Sequence, residues 1–254
     1  MKRLIALILL LVIPAITSAQ GSSDYVSYKE LIRSLDIIAT KYLEPSDTLK
    51  KEFLELQKTH NINGSAINYR HFVRVRLAFE MTRDSGLWQI RWAVTNKKPN
   101  SDSIWKQWHI LSNPQYQKED IAQATAIAEC DESSALFAFI SRGLGVKNVG
   151  LFWPQWNHTV GVWTTKSKQG KPIRIVIPTS QIFISSNASL GTKEFDPYKQ
   201  KVIYNYSRKD ILSNYKIPKN IATMMLNQAK KYGAESSIIL QKRRNRLSKK
   251  FGGS

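Results

Sequence analysis

The chain has 254 residues, 42% of them apolar, which is ordinary for a globular protein and enough core for one large domain or a catalytic domain with a helical annex. A single cysteine excludes a disulfide framework. The net charge of +19 implies long-range attraction to polyanions such as anionic envelope polymers, lipid head groups, nucleic acid or an acidic protein, with solubility as the plainer alternative.

Met1-Lys2-Arg3, the apolar stretch Leu4 to Ile16 and Thr17-Ser18-Ala19 have the three regions of a signal peptide, with cleavage expected after Ala19. The apolar stretch is shorter than the roughly 20 residues that a spanning helix needs. Export is therefore expected, to the periplasm or the medium, with membrane contact only in transit. Removal of Lys2 and Arg3 would lower the charge to +17 and leave about 235 residues. An exported protein rarely meets nucleic acid, so no nucleic-acid partner is expected.

Residues 20–65 read as a helical segment. Tyr28, Leu31, Ile32, Leu35 and Ile38 follow the spacing of a buried helical stripe. Pro45-Ser46-Asp47 starts a second helix carrying Leu49, Phe53, Leu54 and Leu56. After the turn cluster at residues 61–65, Phe72, Val73, Val75, Leu77 and Phe79 largely alternate with His71, Arg74, Arg76 and Glu80, which predicts a strand. With a turn at residues 82–86 and a second strand over 87–94, this segment reads as a hairpin. The aromatic segment 104–111 is ambiguous.

Residues 121–143 are the strongest helical region; Ala135 to Ile140, apolar on every side, point to a helix buried all round, which Gly143 or Gly145 can end in a left-handed cap. Residues 148–153, 157–165 and 173–177 read as three short strands, the last two joined by the polar loop 166–171. Residues 202–206 suggest a further strand and residues 219–230 a helix. The basic run from Gln241 to Lys250 reads as a frayed helix or tail, placed at 236–254.

A lone thiol outside the cytoplasm is a liability unless its chemistry is used. Cys130 lies just before the buried helix, where unpaired N–H groups and the helix dipole favour a thiolate. His158 follows in a strand and can take the thiol proton if that strand packs across the helix start. The plainer readings are an inert buried cysteine and a structural histidine satisfied by a backbone carbonyl. Asp131 and Glu132 suit a first helical turn but, as anions, raise a nearby thiol pKa.

Residues 128–146, Ala-Glu-Cys-Asp-Glu-Ser-Ser-Ala-Leu-Phe-Ala-Phe-Ile-Ser-Arg-Gly-Leu-Gly-Val, resemble the nucleophile segment of the transglutaminase-like (papain-like) cysteine enzymes. Asn157-His158-Thr159-Val160-Gly161-Val162-Trp163 resembles that family's histidine strand. The resemblance covers roughly residues 120–180. It implies an α+β fold, with a buried cysteine helix on an antiparallel sheet and the core domain over 66–235. It also implies Cys130 as nucleophile, His158 as general base and acid, no cofactor, a protein or peptide substrate, and hydrolysis of a peptide or isopeptide amide rather than cross-linking. Its usual third residue is an Asp before Pro-Thr, yet Ile177 stands there, before Pro178-Thr179.

Three explanations stay open. Another side chain replaces the Asp, with Asn157, Thr179 and Gln181 local and Asp196 remote. Alternatively, the enzyme works as a Cys–His dyad. In the third case, the site is degenerate and the fold binds an anionic envelope polymer or a protein. Oxyanion donors are sought at the Cys130 or Asp131 backbone N–H and at the Gln123 side chain. Trp153 and Trp156 are candidate substrate walls, with core packing as the alternative. His60, His71, His109 and His158 show no metal-ligand spacing, and no Gly-rich phosphate loop is present.

Overall fold

A computed structural model describes residues 24–83, 91–94, 125–128, 130–155, 158–179, 190, 191, 193, 195–200 and 216–234. Residues 91–94, 125–128, 130–132, 154, 155, 218, 221, 233 and 234 are described as backbone only. The leader, segment 104–111, residues 202–206 and the basic tail lie outside the described residues.

The N-terminal helices form where their stripes and caps require. Strand β1 (Tyr25–Ser27) leads into α1 (Tyr28–Ile38), where Ser27 and Glu30 make a reciprocal capping box. Tyr28, Leu31, Ile32, Leu35 and Ile38 are all buried. A π-helical turn (Ala39–Leu43) follows, then α2 (Asp47–His60), capped by Ser46 and ended by Asn61 in the left-handed region.

The hairpin expected from residue 69 onward is not formed. Residues Ala66–Thr82 are a helix, α3, capped by the Ser65 hydroxyl on the Asn68 N–H. The sequence misleads because several of its charged residues are paired inside the fold. Arg74 pairs with Asp36 at 2.8 Å and with Glu44 at 2.7 Å. Arg76 is buried and pairs with Glu52 at 3.0 Å and Glu80 at 2.9 Å, and Glu80 also holds Arg83 at 2.7 Å. A helix buried on nearly every side, with its charges neutralised internally, shows no clean amphipathic period.

Strand β2 (Arg91–Val94) lies parallel to β3 (Thr125–Ala128), pairing Arg91 with Thr125 and Val94 with Ala128. The helical region expected over 121–143 is thus strand over residues 125–128, and its helix, α4, runs Cys130–Gly143, with Cys130 its first residue. Its C-terminus is a Schellman turn, with Gly145 at φ +88°, Val146 N–H donating to Ser141 and Gly145 N–H to Arg142.

An antiparallel sheet follows in the order β4 (Val149–Gln155), β5 (His158–Lys166), β6 (Pro172–Ile177), as expected. Strand β7 (Lys216–Pro218) pairs with β1, and α5 (Lys219–Ala234) packs on α1 and the π turn. The architecture is α+β. One hydrophobic core runs from α1–α3 through α4 to the sheet and α5, so the N-terminal helices share the core of the residues that follow.

Candidate functional site

Helix α4 lies against β4 and β5, so the helix that begins at Cys130 and the strand that begins at His158 pack together. Gly161 lets them approach. A methyl group there would come within 2.8 Å of Phe137 Cδ1 and 3.3 Å of Ile177 Cβ. Thr159, Gly161 and Trp163 alternate along β5 onto the α4 face, and paired Ile175 and Ile177 complete it.

Ser134, one turn after Cys130, joins the three motif segments. Its hydroxyl donates to the Thr159 carbonyl at 3.1 Å and shares a 2.5 Å hydrogen bond with the Thr179 hydroxyl. Ser134, Thr159 and Thr179 are all buried. Strand β6 ends at Ile177, Pro178 has no N–H to continue the ladder, and the Thr179 N–H turns back onto the Ile177 carbonyl at 2.9 Å. The start of α4, the start of β5 and the Pro-Thr segment therefore meet at one hydroxyl. Sequence reasoning did not single out Ser134. Its signal is a serine four residues after the cysteine, on the same helical face, leading an apolar run.

His158 opens β5 opposite Gln155. Between that pair and Phe152–Val160 the register slips, leaving Trp153 and Pro154 facing Thr159 alone, a β-bulge beside the histidine. His158 shares its strand face with Val160 and Val162, which form a separate cluster with Phe152, Val176 and Phe195. The His158 ring lies 5.5 Å from the Phe195 ring and is 1% exposed. Burial pushes its pKa down to about 4, so the imidazole is neutral near pH 7. The β5 face that carries His158 is thus turned away from the face that α4 covers.

The other expected residues divide as follows. Backbone places Cys130 and Asp131 in the first turn of α4, where N–H groups lack intrahelical acceptors and can face an oxyanion; their side chains lie outside the described residues. Gln123, Trp156, Asn157 and Gln181 also lie outside them. Thr179 is brought to α4 through Ser134. Asp196 is exposed and accepts from the Tyr198 N–H at 2.9 Å in its own turn, while its neighbour Phe195 is the residue that meets the His158 ring. Trp153 is half-exposed, its N–H donating to Gln200 Oε1 at 2.8 Å. Ile177, at the position where the resemblance calls for an Asp, is fully buried opposite Gly161.

Among the described residues, no group of three or more His, Cys, Asp or Glu side chains is placed to hold a metal ion. No described helix is long and apolar enough to cross a membrane. No protein-family model, curated protein or solved structure matches this chain.

Proposed function

We propose that this chain is an exported, cysteine-dependent acyl-transfer enzyme with a transglutaminase-like core, acting on a peptide or isopeptide amide. The observation that carries this reading is the Ser134 junction, which ties the first turns of the Cys130 helix to the residue after His158 and to the Pro-Thr segment. In the proposed reaction the His158 ring swings from its contact with Phe195 toward the start of α4 and takes the Cys130 thiol proton, and sulfur attacks the amide carbonyl carbon. Helix-start N–H groups stabilise the oxyanion. The protonated His158 then gives its proton to the departing amine, leaving a thioester that water hydrolyses. An activated ester tests this without knowledge of the substrate. Treatment with p-nitrophenyl acetate should leave one acetyl adduct, at Cys130, in intact-protein mass spectra; the adduct should form more slowly in His158→Ala. Acetylation elsewhere only, or at equal rate in His158→Ala, would defeat the proposal.

The placement of the His158 ring favours a second reading. A neutral imidazole packed on Phe195, on the strand face turned from α4, suits a degenerate site whose fold binds an anionic polymer or an acidic protein. Such binding would survive Cys130→Ala and fade steeply with salt.

A further inference from the structure

Residues 195–200 form a strap across the sheet, on the face opposite α4, and carry the ring that meets His158. The strap is tied to both outer strands. On β6, the Arg174 guanidinium donates to the Pro197 and Gln200 carbonyls, and the Arg174 N–H donates to the Tyr198 hydroxyl at 3.2 Å. The same guanidinium lies over the Tyr198 ring at 5.6 Å. On β4, Gln200 Oε1 accepts from the Trp153 N–H within the bulge beside His158.

These ties leave the Phe195 ring pointing inward, 6% exposed. Among the described residues, Phe195 is the one member of the smaller apolar cluster from outside the sheet: Phe152 lies on β4, Val160 and Val162 on β5, and Val176 on β6. Its ring is inclined at 48° to the His158 ring, a buried aromatic contact that holds both rings in place. The cluster is separate from the main core, so the strap can lift while α4 and the other helices stay packed.

We propose that the strap is an autoinhibitory latch: Phe195 holds the His158 ring on the sheet face turned from α4, and the ring reaches Cys130 only where the strap lifts. Phe195 is then a positioning residue that acts through His158, and Arg174 and Gln200 fasten it. The latch sets the fraction of molecules that are competent, and the wild-type chain reacts at that fraction of its open rate. This inference rests on the reading of Cys130 and His158 as a catalytic pair.

The test uses the full chain and two rates. Modification of the His158 ring by diethyl pyrocarbonate, read by peptide mass spectrometry, reports whether the ring is covered, whatever its role. Acetylation of Cys130 by p-nitrophenyl acetate reports whether the ring serves the thiol. Phe195→Ala should raise both rates at least about tenfold, the order expected when a buried aromatic ring is lost from the closed state alone. Arg174→Gln loosens the strap without altering either ring and should also raise both, about tenfold, through the lost charge-assisted hydrogen bonds. Modification of His71, on α3, should not change, which separates release of the strap from a general loosening of the fold. Adding His158→Ala to Phe195→Ala should abolish the gain at Cys130. Unchanged His158 modification in both variants would overturn the latch and leave the catalytic reading to its own test. Raised His158 modification with no gain at Cys130 would instead remove the pairing of His158 with Cys130, and the latch with it.

Discussion

Replacing Ser134 with alanine removes one hydroxyl and loosens three segments at once. The hydroxyl is fully buried, donates to the Thr159 carbonyl at 3.1 Å and shares a short hydrogen bond with Thr179. Two buried hydrogen bonds at about 1 kcal/mol each give a loss of about 2 kcal/mol. For a chain of this size that is a fall in Tm of roughly 4–8 °C. Thr179→Val removes the same side chain–side chain bond from the other end. Urea unfolding of the two single variants and the double variant isolates their coupling, expected at about 1 kcal/mol. Additive single effects, or a Ser134→Ala loss below about 0.5 kcal/mol, would refute the idea that this hydroxyl ties the Cys130 helix to the sheet.

Two further outcomes follow from the same site. Gly161→Ala forces a methyl group to 2.8 Å from Phe137, so it should cost about 1–3 kcal/mol in denaturant unfolding, and Phe137→Leu in the same chain should recover part of it. His158, with its pKa lowered to about 4, binds a proton less readily folded than unfolded. Its contribution is nil above about pH 6.5, and stability falls as pH drops from there through 4, by roughly 3 kcal/mol. His158→Leu should flatten the unfolding free energy across that window; an unchanged slope would show that the ring is not so desolvated.

Much of the fold is legible in the residues, and the exceptions share a cause. The stripes of α1 and α2 lie on helices with one dry face, and the β5–β6 hairpin announces itself by two runs rich in β-branched residues around the polar segment 166–171. Helix α3 does not, because Arg76 and Glu80 are core residues neutralised by partners on α2 and on α3 itself. Local polarity reports water only where charges are not paired inside. The short strand Thr125–Ala128 hides within an apolar run that continues into α4, since its partner Arg91–Val94 is over thirty residues away in a parallel pair. At the site, the helix start at Cys130 and the strand start at His158 are visible locally. The packing of Phe195 on His158 is not, since it joins residues 37 positions apart through a chain path with no periodic signal.

The proposed enzyme stands or falls on the state of one thiol. The rate of Cys130 alkylation by iodoacetamide, measured against pH on the folded chain, reports its pKa. A thiol activated at the start of α4 with His158 as partner should titrate below about 7 and react at least about tenfold more slowly at neutral pH in His158→Ala. A titration at or above about 8.5, unchanged by His158→Ala, would leave Cys130 an ordinary cysteine and the chain without its nucleophile.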